Sequence, residues 1–246
     1  MIPTFFRIET LDSTNSTNLV AKEAAESGEH EGLVVHALSQ TAGKGRLGRT
    51  WESPEGNLYV SVLLRPRCAL QQAVYYSFVA AMAVYDTVLA PKPDACIQLK
   101  WPNDVLVDGK KISGVLLETS PTQGGLLDWL VIGVGINVAH HPENALYPTT
   151  SLAALGVSPT VEETLQQFLL SLDHWRKTLL YDGFSPIRKA WLADAKMGEA
   201  VVKTPSGDIT GDFAGIDESG GLILRLANGQ ETVIQAGDVF FPQGNG

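Results

Sequence analysis

Thr41-Ala-Gly-Lys-Gly-Arg-Leu-Gly-Arg-Thr-Trp51 is the stretch on which the reading of this 246-residue chain turns. An apolar strand-like run, Leu33 to Leu38, precedes it, and Gly43, Gly45 and Gly48 satisfy the spacing of a dinucleotide-binding fingerprint. That fingerprint needs a helix to start at the glycines, so that free N–H groups and the helix dipole face a pyrophosphate. Here the chain runs on through Trp51-Glu-Ser-Pro54-Glu-Gly56 into a second strand-like run, Leu58 to Leu64. The same context excludes a P-loop: Gly43 and Gly48 fit its outer glycines, but Arg49 stands where the lysine belongs and no helix follows. What remains is a loop that interleaves Lys44, Arg46 and Arg49 with glycines. Glycine lets backbone approach a ligand closely, and the arginine fork matches phosphate. Solvated charges on a mobile surface loop are the plain alternative. Trp51 could stack on a base or fill a core.

Outward from the loop, the pattern is mixed. Phe5 to Leu11 reads as a strand, and the Ser/Thr/Asn-rich turn Ser13–Asn18 caps a helix from Leu19 to Ser27. Gln71 to Leu89, long and apolar without breakers, reads as a mostly buried helix. Strands follow near 96–101, 104–108, 112–119 and 127–136. A Pro- and Asn-containing loop runs from His140 to Thr150, and helices are expected at 161–181 and 185–194. From Gly198 the texture changes to short β-type runs (Glu199–Thr204, Ile209–Ile216, Leu222–Leu226, Glu231–Ile234, Val239–Phe241). Pro205-Ser206-Gly207, Ser219-Gly220-Gly221 and Asn228-Gly229 mark the turns between them. That spacing suggests a small barrel of about 50 residues.

Composition narrows the class. With 44% hydrophobic and 18% charged residues the chain is neither disordered nor fibrous. The net charge of −9 argues against a dedicated nucleic-acid binder. Two cysteines, Cys68 and Cys96, lack metal-ligand spacing and fit a reducing, cytoplasmic setting. No apolar run is long enough for a membrane span. Residues 195–246 hold three cations, Lys196, Lys203 and Arg225, against seven acids. In the larger part, Lys44, Arg46, Arg49, Lys100, Lys110 and Lys111 fall in two short stretches. Cations clustered within an acidic protein point to a local anionic ligand.

Six ordered blocks resemble the biotin protein ligases: Ser16-Thr-Asn18, Gln40 through Trp51, Ser53-Pro54, Lys100-Trp-Pro-Asn-Asp104, Lys111-Ile-Ser-Gly114 and Gly133-Val-Gly-Ile-Asn137. The resemblance spans roughly residues 5–242. It implies an α+β fold: a catalytic domain over 1–195, like class II aminoacyl-tRNA synthetases, with a mixed sheet flanked by helices. A C-terminal SH3-like β-barrel over 196–246 is implied as well. It further implies activation of biotin by ATP and Mg²⁺ to biotinyl-5′-AMP, then transfer to a lysine of the biotin carboxyl carrier protein of an acyl-CoA carboxylase. No nucleic-acid or membrane partner is expected, since the catalytic part begins within the first dozen residues and leaves no room for the DNA-binding domain of some relatives. A homodimer is compatible with this reading.

By position, the resemblance assigns Ser16, Thr17, Asn18 and Gln40 to biotin's ureido ring, whose N–H and C=O groups need hydroxyl and amide partners. Ser13-Thr14-Asn15 repeats the tripeptide; 16–18 keeps the family-like spacing to Gln40. Gly43, Lys44, Gly45 and Arg46 would lie along biotin and the acyl phosphate, and Lys44 stands where the family more often has Arg. Lys111 and Arg46 are the catalytic candidates, because a fixed cation is needed where carboxylate meets α-phosphate. Arg46, Arg49, Trp51, Asn103 and Asn137 are assigned to the nucleotide, and Asp104 to Mg²⁺. Lys110 competes with Lys111, Lys100 is less defined, and Asn103-Asp104 is equally a turn pair. A lipoate ligase of related fold and a non-catalytic biotin sensor are the alternatives.

Overall fold

A computed structural model describes residues 1–122, 124–143, 145 and 147–241. The strand Leu127–Ile136 shows how the sequence builds the molecule. Its alternate residues Leu130, Ile132, Val134 and Ile136 enter the main core, while Trp129 and Val131 face a second, smaller cluster on the opposite side. A strand buried on both faces must be apolar on both, which is why it reads as a near-continuous run.

It is β7 of a seven-stranded sheet ordered β1-β2-β3-β7-β6-β5-β4. The members are β1 (Arg7–Thr14), β2 (Leu33–Gln40), β3 (Leu58–Leu64), β4 (Ile97–Lys100), β5 (Asp104–Val107), β6 (Lys110–Pro121) and β7. Only β1 and β2 are parallel, joined by helix α1 (Thr17–Glu26), so the sheet is mixed as expected. Helix α1 covers one face through Ala21 and Ala25. On the other face lie α2 (Tyr75–Leu89), α3 (Val161–Asp182) and α4 (Phe184–Ala193). Thr160 starts α3 with a capping box closed by Glu163.

Boundaries moved for physical reasons. Helix α1 begins at Thr17, because Ser13 and Thr14 are absorbed as the end of β1 by pairing with Ser39 and Gln40. The apolar segment expected as one helix from Gln71 is a 3₁₀ turn, Leu70–Val74, before the α-helix proper. Lys110 and Lys111 lie inside β6, two residues earlier than the expected strand start.

The C-terminal runs form a second, antiparallel sheet ordered β11-β10-β9-β8-β12: β8 (Glu199–Thr204), β9 (Gly207–Ile216), β10 (Leu222–Arg225), β11 (Glu231–Ile234) and β12 (Asp238–Phe240). Residues 242–246 of the expected 196–246 unit lie outside the described residues. One core unites the sheets: Phe213 and Val202 join the cluster that holds Phe78 and Trp191. Trp101, nearly buried, donates its Nε1–H to the Gly220 carbonyl at 3.0 Å. No described helix is long and apolar enough to cross a membrane.

Candidate active site

Beyond the edge of α1, the face of β7 that carries Trp129 and Val131 turns to glycine at Gly133 and Gly135. A cavity of about 570 Å³ opens there, floored by the bare sheet and walled by the start of α1, the end of β2, the glycine-rich loop and β12. The glycines are required by close approach. A Cβ on Gly133 would overlap the Asn18 amide, and one on Gly135 would stand 2.5 Å from Trp51 Nε1. Gly114, which faces Gly135 across the β6–β7 ladder, meets the same indole. Trp51 therefore lies over a glycine pair rather than in the core, and its buried Nε1 has no hydrogen-bond partner.

One end of the cavity is neutral and polar. Ser16, the N-cap of α1, makes no side-chain capping bond, although it is buried. Thr17 N–H donates to Gln40 Oε1 at 2.9 Å, Gln40 Nε2 donates to Ser53 Oγ at 2.8 Å, and Ser53 in turn donates to the Trp51 carbonyl. Fully buried Ser61 lies 2.8 Å from Thr17 Oγ1 and 2.6 Å from Asn18 Oδ1, and Asn18 Nδ2 donates to Glu118 at 2.8 Å. Ser16, Thr17 and Asn18 line the cavity; Ser13 to Asn15 do not. Gly43 is buried behind this wall, where a Cβ would stand 2.5 Å from Ser53 Oγ. Its part is to let the loop pack, not to line the cavity.

The other end is charged. Lys111 Nζ sits 2.6 Å from Asp104 Oδ1, and Lys100 Nζ 3.5 Å from Oδ2. Burial alone would raise the Asp104 carboxyl, but Lys111 and then Lys100 outweigh it and hold it below the usual carboxylate range. Burial likewise lowers Lys100, partly offset by Asp104. Lys110 points to solvent, so strand alternation separates the adjacent lysines: only Lys111 reaches the cavity.

Arg46 donates to Asn103 Oδ1 at 3.1 Å and to the Gly237 carbonyl at 3.2 Å, and lies 3.4 Å from Asp238. Arg49 is paired with Asp238 and donates to the Tyr147 hydroxyl at 2.7 Å. Burial lowers Arg46, and Asp238 acts against that. The Tyr147 ring also faces Lys100, at 4.9 Å, and Lys111, at 6.0 Å. Lys44 and Gly45 line the mouth, with Lys44 exposed and in no ion pair among the described residues.

Three of the expected site residues already have partners within the protein. Asp104 is occupied by two ammonium groups, and no described cluster of three acidic, His or Cys side chains could hold a metal. The residues present do not fit a protein-held Mg²⁺. Asn103 gives Oδ1 to Arg46 and Nδ2 to the Val115 carbonyl, so it anchors the loop arginine. Asn137 lines the cavity, but its Nδ2 donates to the Thr150 carbonyl at 2.9 Å and pins the returning loop. Ser53 stood in a quoted block without a role, and Ser61, Glu118, Tyr147 and Asp238 carried no signal that singled them out. Ser61 and Glu118 were single polar positions in strands, Tyr147 was an isolated aromatic in a loop, and Asp238 had no local signal.

A neutral slot that opens into four cations around two carboxylates is suited to a ligand whose uncharged head lies remote from a reacting anionic end. The chain belongs to the Biotin/lipoate A/B protein ligase family, which matches residues 8–137, and the Biotin protein ligase C terminal domain matches residues 199–241. It is 40% identical to the biotin–[acetyl-CoA-carboxylase] ligase of Paracoccus denitrificans, over 94% of this chain and 99% of that protein. It is 34% identical to the Mycobacterium tuberculosis protein of the same name, over 95% of this chain and 88% of the other. The solved biotin protein ligase of Aquifex aeolicus in complex with biotin and ATP superposes with a TM-score of 0.77 at 30% identity, covering 95% and 97% of the two chains.

Proposed function

We propose that the protein is a biotin–[biotin carboxyl-carrier protein] ligase, carried above all by the continuity of the neutral slot with the Lys111–Asp104 pair at 2.6 Å in one cavity. Biotin binds head-first with its ureido ring among Ser16, Thr17, Asn18 and Gln40. Its carboxylate is left beside Lys111. Attack of that carboxylate on the α-phosphorus of ATP forms the acyl–phosphate bond of biotinyl-5′-AMP and breaks the bond to pyrophosphate. Lys111 brings two anions together and stabilises charge that grows on the phosphoryl oxygens. Asp104 holds the ammonium in place and compensates its burial. Arg46 and Arg49 reach the phosphates from the loop, and Trp51 covers the adenine over Gly114 and Gly135. A lysine amine of the carrier protein of an acyl-CoA carboxylase then attacks the acyl carbon, forming an amide and releasing AMP.

Mg²⁺ arrives with the ATP phosphates, since it keeps several waters and needs few protein oxygens. The boundary between the catalytic unit and the small β unit falls at 195/196, and the enzyme works in the cytoplasm. The Paracoccus and Mycobacterium relatives are named for this ligation, and the Aquifex ligase is described with biotin and ATP, which supports the choice of biotin over lipoate.

ATP–pyrophosphate exchange with biotin, lipoate or no acid tests the reading. Exchange that requires biotin supports it. Exchange with lipoate alone overturns the substrate, and no exchange from folded protein with Mg²⁺ present overturns the enzyme.

A further inference from the structure

Glu118 on β6 is opposite Val131 in the ladder, on the face that α1 covers, and it does not line the cavity. Its carboxylate can only accept, so Asn18 must turn Nδ2 toward it and Oδ1 toward Ser61. The Ser61 hydroxyl has a single hydrogen, and Asn18 Oδ1 at 2.6 Å can only accept it. Thr17 Oγ1, 2.8 Å from Ser61, is then the donor of that pair. If its hydrogen turned instead to Gln40 Oε1, at 3.2 Å, the outcome for a ligand would be the same. The Thr17 hydroxyl has spent its hydrogen on the protein and faces the cavity as an acceptor.

We propose that Glu118 is a positioning residue that fixes the direction of the Thr17–Ser61–Asn18 hydrogen-bond chain, so that this wall accepts from an N–H donor. This rests on the biotin reading given above. A chain of donors that ends on a half-buried carboxylate polarises in one sense, and each link strengthens the next. The ligand head it selects is a cyclic urea, which offers two N–H groups. A dithiolane ring, with none, leaves the Thr17 oxygen desolvated and unpaired, and that mismatch discriminates more strongly than shape. Gly133 belongs to the device, because its missing Cβ makes room for the Asn18 amide.

The test is titration of the full chain with biotin and with a biotin analogue methylated on its urea nitrogens. Glu118→Gln lets the terminal group donate as well as accept, and should weaken biotin roughly tenfold while narrowing its preference over the analogue. KM for ATP in pyrophosphate exchange at saturating biotin should stay at the wild-type value. Asn18→Asp alone sets two carboxylates against each other and should weaken biotin further. Asn18→Asp combined with Glu118→Gln restores the chain, since Asp can accept from both Ser61 and Gln, and should bind biotin more tightly than either single variant. Biotin binding by Glu118→Gln within twofold of wild type would overturn the proposal, as would equal losses for biotin and ATP or a double variant no better than Glu118→Gln. Wild-type protein that binds no biotin would overturn the functional reading as well; in every other case the two fail separately.

Discussion

The two ends of the cavity are built differently. The neutral end is made of α1, β2, β3 and β6, its polar groups are buried or half-buried, and Thr17, Asn18, Gln40, Ser61 and Glu118 satisfy one another across the sheet. The charged end relies on a glycine-rich loop, on Tyr147 from a second loop, and on Asp238 from the other sheet. A slot for a neutral ring can be prepaid by folding, because these five groups have partners of fixed polarity. An anion seat cannot be closed in the same way, since cations packed without counterions repel and lose hydration. The protein solves this with carboxylates: Asp104 between two lysines, and Asp238 between two arginines.

The largest effect should come from the point where the ends meet. Lys111→Ala is expected to cut biotinyl-AMP formation by about 10²- to 10³-fold, the loss typical of a removed oxyanion-type donor. It leaves Asp104 with Lys100 alone, so melting temperature must be followed beside the exchange assay. A folded variant with wild-type exchange would dissolve the distinction between a binding end and a reacting end.

The neutral end can be broken by a single methyl group. In Gly133→Ala the new Cβ overlaps the Asn18 amide, which is pinned by Ser61 and Glu118 and cannot step aside without losing hydrogen bonds. Biotin affinity should fall by about tenfold or more, since one lost buried hydrogen bond is worth roughly 1–3 kcal/mol. Titration with biotin reads this directly, and unchanged affinity would show that the slot is softer than its bonding implies.

The same contrast explains what was legible in the sequence. β2, β3 and β7 announce themselves as apolar runs, and the glycines of β7 mark a close approach, which the structure shows to be that of the Asn18 and Trp51 side chains lining the cavity. The Ser16-Thr17-Asn18 assignment rests on spacing, and the backbone explains it: pairing draws Ser13 and Thr14 into β1 and leaves the second tripeptide to open α1 beside the cavity. Lys111 was separable from Lys110 only by motif, whereas the strand separates them by face. That Asp104 is the counterion of two lysines was not legible, because an exposed turn residue and a buried counterion look alike in one dimension. Asp238 was invisible for a stronger reason, as its partners lie 189 and 192 positions away in another sheet.

That distance makes Asp238 the place to sharpen the comparison. Asp238→Asn keeps the shape and an acceptor but removes the charge shared by Arg46 and Arg49. Arg46 retains Asn103 and the Gly237 carbonyl, and Arg49 retains Tyr147, so both forks loosen without being freed. Their salt bridges are partly exposed, with the arginine side chains 25% and 37% accessible, which keeps the expected effect modest. KM for ATP should rise several-fold, and the adenylate should escape faster when pyrophosphate is removed, while biotin affinity stays unchanged. Parallel titrations with biotin and exchange at varied ATP separate the two. If biotin weakens as well, the second sheet supports the whole cavity rather than its charged end. If KM for ATP falls instead, Asp238 competes with the phosphates for the arginines, and the loop is restrained by the carboxylate rather than prepared by it.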